Sequence, residues 1–295
     1  MRVTVVGGGI AGLCCAHRLA EAGHRVTVRT AGKPGESTSA VAGGLIYPPM
    51  ETGDGRVARW TAVGLEVYRN SPAAPGIRFR PGSITFAEDR PGPPWLSAMT
   101  DVTREGGRLG FTTALVDMPV YLGWLAEQVA ALGVRTEYAG VASLASLAEG
   151  DADVVVNAAG LAGGTLAGDD ALVPVRGQVV HLADPGLTSW TVAEEDDELT
   201  YVFPHGRHVV CGGTEEIGRG DLDPDPAAAS AIVRRCRALV PELAEAPVLG
   251  TRVGLRPGRP SVRLERVGNV VHDYGHGGAG VTLAWGCAED VVGLL

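Results

Sequence analysis

The sequence predicts a mixed α/β fold in which a Rossmann-like nucleotide-binding domain is joined to a second domain built on a mainly antiparallel sheet. Three observations predict it. Residues 2 to 28 read as strand, glycine turn, helix and strand, a βαβ opening. Residues 153–157 form a short apolar run preceded by acids and followed by Gly160, the signature of a strand inside a parallel sheet. From residue 173 to 213, strand-like runs follow one another with no helix between them, as in an antiparallel sheet.

Taken in order, residues 2–6 are β-branched and end at Gly7, Gly8 and Gly9. Residues 10–22 have helical composition, and Gly23 stands where a helix C-cap is expected. Residues 25–28 alternate as a second strand. Residues 51–110 carry proline-rich pieces (71–75 and 90–94) and show no clean period. Residues 119–132 predict a helix, with Leu122, Leu125, Val129 and Leu132 on its apolar face; Gly133 ends it and residues 134–141 read as a strand. Residues 177–182, 200–203 and 208–212 are strands, 227–240 a helix introduced by Pro224 and Pro226, 253–255 and 269–272 strands, and 281–294 a final helix after a glycine-rich turn. The acidic run 194–198 is expected to be a solvated loop. Residues 1–50, 140–185 and 251–295 are assigned to the nucleotide-binding domain, and 51–139 with 186–250 to the other.

A chain of 295 residues is long enough for a large core. Its formal charge of −9 argues against a sequence-independent nucleic-acid binder and against anionic membranes. No apolar run approaches the roughly 20 residues needed to span a bilayer, and no leader precedes the first strand, so a cytoplasmic location is expected. Five cysteines with irregular spacing and no CxxC pair point to reduced, buried thiols and to no metal site.

Gly7, Gly9 and Gly12 make a GxGxxG pattern between strand and helix. The first glycine permits the tight turn, the second lets a pyrophosphate approach the backbone, and the third lets helix and strand pack closely. The helix start, with Ile10 and Ala11, offers N–H groups and a positive dipole end to phosphate. The acid that usually binds a ribose hydroxyl after the second strand is missing; Arg29 and Thr30 stand there, leaving open a 2′-phosphate partner or an adenosine held by backbone and hydroxyls. Residues 37–46, with Ser37, Thr38, Gly43, Gly44 and Leu45, are small or hydroxylated and suit a loop against a flat ring. Pro257 and Pro260 hold Arg256, Arg259 and Arg263 in a stiff extended segment, where a guanidinium can bind a carboxylate bidentately. The turn at residues 275–280 opens the last helix and forms a second anion-friendly N-terminus.

Together these pieces resemble the D-amino acid oxidase family over nearly the whole chain. The resemblance is carried by the glycine loop, by Ala42 to Leu45 with Pro48, by Tyr121, Trp124 and Leu125, and by residues 153–160. It continues in Arg176, Gly177 and Gln178, in Tyr201 to Pro204 with Cys211 to Gly213, and in residues 254–288. It implies FAD, with Val141, Gly160, Gly277, Gly280, Val281 and Thr282 among the cofactor contacts. It places Arg263 and Tyr201 on the substrate carboxylate and the Gly278 carbonyl on the amine. The implied reaction is hydride transfer from Cα of a D-amino acid to flavin N5, giving an imino acid, then a 2-oxo acid and ammonia, with hydrogen peroxide from oxygen. The implied partners are a D-amino acid and oxygen, with a homodimer possible.

Vertebrate members carry a longer lid with a second tyrosine; residues 192–200 have none, so full lid closure is not expected. D-aspartate oxidation would need a further cation, for which Arg207, His208 and Arg256 are the local candidates, and the acidic run opposes it. Neutral or basic D-amino acids are therefore expected. Glycine or sarcosine oxidation, or a non-catalytic flavin- or NADP-binding regulatory protein, are the remaining readings.

Overall fold

The computed structural model describes residues 1–48, 54–86, 92–150, 152–195 and 198–295, with the side chains of Glu195 and Glu198 excepted. Its strands are β1 Arg2–Val6, β2 Arg25–Thr30, β3 Ile77–Phe86, β4 Thr100–Glu105, β5 Arg108–Val116, β6 Arg135–Tyr138, β7 Val154–Asn157 and β8 Val173–Ala183. They continue as β9 Trp190–Glu195, β10 Glu198–Pro204, β11 His208–Gly212, β12 Glu216–Ile217, β13 Val248–Gly258, β14 Arg263–Val267 and β15 Val270–Tyr274. The helices are α1 Ile10–Glu21, α2 Arg56–Arg69, α3 Met118–Ala131, α4 Leu144–Ala148, α5 Ala162–Ala167, α6 Pro226–Leu239 and α7 Gly280–Gly293.

Two sheets organise these elements. The first has the order β14-β15-β7-β1-β2-β6, parallel except for the β14–β15 pair. β7 lies between β1 and β15 with all four residues buried, as its unbroken apolar run requires. The second sheet runs β12-β8-β11-β10-β9-β3-β5-β4, with β13 also paired to β8; its pairs are antiparallel except β3 with β9. The α/β class with one Rossmann-like and one mainly antiparallel sheet is therefore the observed architecture.

The boundaries between the layers differ from those read in the sequence. β6 belongs to the first sheet, paired to β2, although residues 51–139 were expected in the other domain. β8 and most of β13 belong to the second sheet, although 140–185 and 251–295 were expected in the first. Hydrogen-bonded pairing between strands far apart in sequence decides this, and no local pattern encodes it. Residues 56–69, which showed no clean period, form α2, burying Val57, Trp60, Thr61, Gly64, Leu65 and Tyr68 at helical spacing. Polar and glycine residues within that face obscure its apolar stripe. α2 lies on α7, and the Tyr68 hydroxyl donates to the Val281 carbonyl at 2.9 Å. The predicted proline-led start of α6 is present: Asp225 accepts from the Ala227 and Ala228 N–H groups, and Pro226 opens the helix.

The acidic run is not wholly a loop. Glu194 lies in β9, opposite Leu199 of β10, because the β9–β10 hairpin extends the sheet through it. Asp196 and Asp197 of that run lie outside the described residues, as do Arg90 and Pro91 of the second proline-rich piece.

Candidate active site

A cavity of about 1350 Å³ runs from the glycine turn after β1 to the start of α7 and on between the two sheets. Sites for drug-sized ligands occupy roughly 300–1000 Å³, so this volume suits a dinucleotide with a substrate beside it.

At one end the cavity is lined mainly by backbone. Gly7, Gly9, Ile10 and Ala11 line it; Gly12 does not. A Cβ on Gly12 would stand 2.0 Å from the Gly7 carbonyl oxygen, so this glycine serves helix–turn packing. Gly9 caps α1 without a side-chain bond, and no acid occupies the first turn, which suits an anion there. Ser37, Thr38 and Ser39 line the same end from two short 3₁₀ turns, and Ser39 Oγ accepts from the Ile10 N–H at 3.1 Å. Arg29 and Thr30 line it as expected. The Arg29 guanidinium donates to Glu137, its register partner on β6, at 2.9 Å and holds that carboxyl below its usual range. Engagement with Glu137 weakens the case for a 2′-phosphate partner.

The middle is lined by Gly43, Gly44, Leu45, Val141, Gly160, Gly277, Gly280 and Val281, all expected there. Thr282 is not a lining residue: its buried hydroxyl donates to the Tyr47 carbonyl at 3.0 Å and pins the residue 43–47 segment to α7. The approach to α7 is held from behind by Asp273, fully buried, which accepts from the Cys15 thiol at 3.2 Å and stands 3.2 Å from His276 Nε2. Cys287 is close to the same group. Burial pushes the Cys15 and Cys287 thiols up, and Asp273 adds to it, so both stay protonated and serve packing and hydrogen bonding. The five cysteines are free and buried, as expected.

The far end is lined by side chains. Tyr201 lines it, and the lining arginine is Arg256; Gly278 also lines the cavity, at the turn before α7. Arg256 reaches in from β13 over Gly177, where a Cβ would stand 2.5 Å from a guanidinium nitrogen. Tyr201 lies over Gly212, its partner across the β10–β11 pair, where a Cβ would stand 2.3 Å from the hydroxyl. Two glycines thus form a floor that lets both side chains lie flat. Arg256 donates to the Thr214 carbonyl at 3.0 Å and stands beside the Tyr201 phenol. Burial raises the Tyr201 phenol pKa, and Arg256 partly opposes the rise. Phe203 stacks on Tyr201 with centroids 4.5 Å apart.

Arg263 is not in the cavity. It stands on β14 at the edge of the first sheet, donating to Glu265 at 2.7 Å and to the Tyr274 hydroxyl at 2.7 Å, with Asp169 at 3.5 Å. Tyr274 in turn donates to Asp169 at 2.9 Å. The expected carboxylate role of Arg263 is therefore corrected. Between Arg256 and Arg263 the chain leaves the second sheet for the first, so two arginines of one proline-rich segment end in different layers. Sequence spacing could not separate them.

The sequence reading also missed Tyr47 and Glu194, which line the same end. Burial pushes the Tyr47 phenol up, Glu194 and Tyr201 push it further, and Arg256 opposes them, so these four groups share one neighbourhood. The signal for Tyr47 was its place two residues after Leu45. Residues 192–200 carry no tyrosine, and a second phenol reaches the cavity from another part of the chain, at Tyr47.

The cavity fits FAD: an uncapped helix N-terminus and hydroxyl turns at one end, small residues in the middle, and the start of α7, with no acid in its first turn, beyond them. The family model for FAD dependent oxidoreductases (DAO) matches residues 2–294. The chain belongs to this family. It is similar to the D-amino-acid oxidase of Rubrobacter xylanophilus, 43% identical over 311 residues covering 99% of this chain and 95% of the relative. The D-amino-acid oxidase of Streptomyces coelicolor is 42% identical over 309 residues, covering 99% and 96%. Among solved structures, glycine oxidase from Geobacillus kaustophilus superposes with a TM-score of 0.81 at 20% identity over 99% of this chain and 94% of that one, a likeness of fold. This DAO-family chain has, among its described residues, no helix long and apolar enough to cross a membrane.

Proposed function

We propose that this protein oxidises neutral or basic D-amino acids to imino acids, with oxygen as the final acceptor. The observation that carries the proposal is the Arg256–Tyr201 pair lying on its glycine floor at the side-chain-lined end of the cavity. Bound FAD would supply the two-electron acceptor and return the electrons to oxygen as peroxide.

Arg256 would hold the α-carboxylate, its planar fork matching the two oxygens. Burial keeps the Tyr201 and Tyr47 phenols protonated at neutral pH, so each can donate to a carboxylate beside Arg256. The Gly278 carbonyl would accept from the amine. With carboxylate and amine fixed, the Cα–H of one enantiomer faces the flavin segment and the other's is turned away. The contribution of the chain is orientation, and no side chain need remove the α-proton. The stacked Tyr201–Phe203 pair and Leu45 wall the reacting carbon from water.

A D-aspartate side chain finds little here. Among the described residues lining this end, Arg256 is the arginine and Glu194 and Glu215 are acids. Arg207 is exposed, and His208 stacks between His181 and His205, at 4.8 and 5.2 Å. The test is peroxide release, with FAD added, from paired D- and L-amino acids. Release from neutral or basic D-isomers is expected; release from L-isomers, or from none, overturns the proposal.

A further inference from the structure

Glu194 lines the cavity with Arg256 and Tyr201 and lies near Tyr47. It lies on β9 facing Leu199 of β10, and Tyr201 is two residues further along β10. Residues i and i+2 share a face of a strand and lie roughly 7 Å apart, so Glu194, Leu199 and Tyr201 form one wall of the cavity. All three line it, as does Tyr47, which lies near Glu194, Tyr201 and Arg256. If Arg256 and the phenols hold the α-carboxylate, a side chain leaving Cα along this wall runs toward the Glu194–Leu199 row, one two-residue step from Tyr201. The distal cation of a lysine or arginine side chain running that way would meet the Glu194 carboxylate in a half-buried setting. Glu215 lines the same end from the mouth.

We propose that Glu194 is a specificity residue that recognises the distal cation of a basic D-amino acid, making D-arginine and D-lysine the favoured substrate class. This rests on the oxidase reading above. Field strength supports the placement, since Glu194 leads the charged groups that raise the Tyr47 phenol.

The test compares kcat/KM for D-arginine and for D-citrulline, which has nearly the same shape and no charge, on the FAD-loaded protein. D-leucine serves as a neutral reference. A hydrogen-bonded charge pair contributes about 1.5–3 kcal/mol, so a D-arginine to D-citrulline ratio on the order of 10–100 is expected. In Glu194→Gln that ratio should collapse towards one, chiefly through KM for D-arginine, and in Glu194→Lys D-glutamate should gain on D-arginine. Turnover of D-leucine with a wild-type ratio near one overturns the role of Glu194 and leaves the oxidase reading standing. A high ratio that survives Glu194→Gln does the same. Failure of every D-isomer on FAD-loaded protein overturns the oxidase reading and the assignment with it. The wild-type ratio needs no variant, so a poorly folded substitution does not shield the proposal.

Discussion

The two ends of the cavity solve recognition in different ways. The end beside α1 is built from backbone: glycines, a helix N-terminus and short hydroxyl turns, following one another within residues 7–39. The end between the sheets is built from side chains, Arg256, Tyr201, Tyr47 and Glu194, delivered by separate parts of the chain. A diphosphate needs N–H groups and a dipole, which a single βαβ turn supplies locally. A small zwitterion needs charges at fixed separations in a dry pocket, which takes several elements held against one another. The same contrast separates Arg256 from Arg263, seven residues apart: one lies over a glycine in the cavity, the other is bound in the Tyr274–Asp169 network.

Exchanging those two arginines' fates is the strongest way to break the comparison. Arg256→Gln should lower kcat/KM on the order of 10³-fold while FAD remains bound, because truncating a buried charge partner costs about 2–5 kcal/mol. Steady-state kinetics with the flavin absorbance as control checks this; near-normal turnover would return the carboxylate role to another residue. At the opposite end, Gly12→Ala places a Cβ against the Gly7 carbonyl, and overpacking costs about 1–3 kcal/mol. Flavin content of the purified variant should drop several-fold, whereas intact content would mean the turn absorbs the methyl.

Tyr201→Phe removes one hydrogen bond to a charged group and should cost about tenfold in kcat/KM, mainly in KM. Gly212→Ala should approach the same loss by displacing the Tyr201 ring. Arg263→Gln should act on stability, not on chemistry. Losing its bonds to Tyr274 and Glu265 should cost about 1 kcal/mol and lower Tm by roughly 2–4 °C, with kcat/KM changed little. A large loss of turnover at unchanged Tm would restore Arg263 to the site.

The smallest effect concerns pH. His205 is pushed down to about 4 by burial, with Asp117 and its bond to the Gly43 carbonyl opposing; His181 is pushed down to about 4 by burial, with His208 adding. A histidine whose folded pKa is depressed binds fewer protons than the unfolded chain between the two values. Its contribution is therefore complete above pH 6.5 and is lost as pH falls towards 4. Tm should decline from pH 7 to pH 5, and His205→Asn should flatten that decline. An unchanged slope would remove His205 from the account.

Much of the fold was legible. The βαβ opening, the buried β7 run and the proline-led α6 each carry their signal in a continuous local stretch, and each stands where the pattern put it. α2 was not legible because Thr61 and Gly64 interrupt its buried face. In the candidate site, the residues expected at the cofactor line the cavity, except Gly12 and Thr282, which fall just behind its wall. The substrate end was read less well. Tyr201 and Gly278 line the cavity, but Arg263 stands outside it, and Arg256 and Tyr47, which line it, were given no such role or passed over.

The sequence by itself determined the nucleotide-binding turn, the class of the fold and the family, because a GxGxxG turn between strand and helix is a local device whose parts touch their neighbours in the chain. Only the tertiary structure decided which arginine meets the cavity, which tyrosines stand beside it and what an acid on β9 faces. Those depend on where the chain passes from one sheet to the other, and on glycines in one strand making room for side chains from another. Strand pairing over long sequence distances sets both, and no window along the chain contains it.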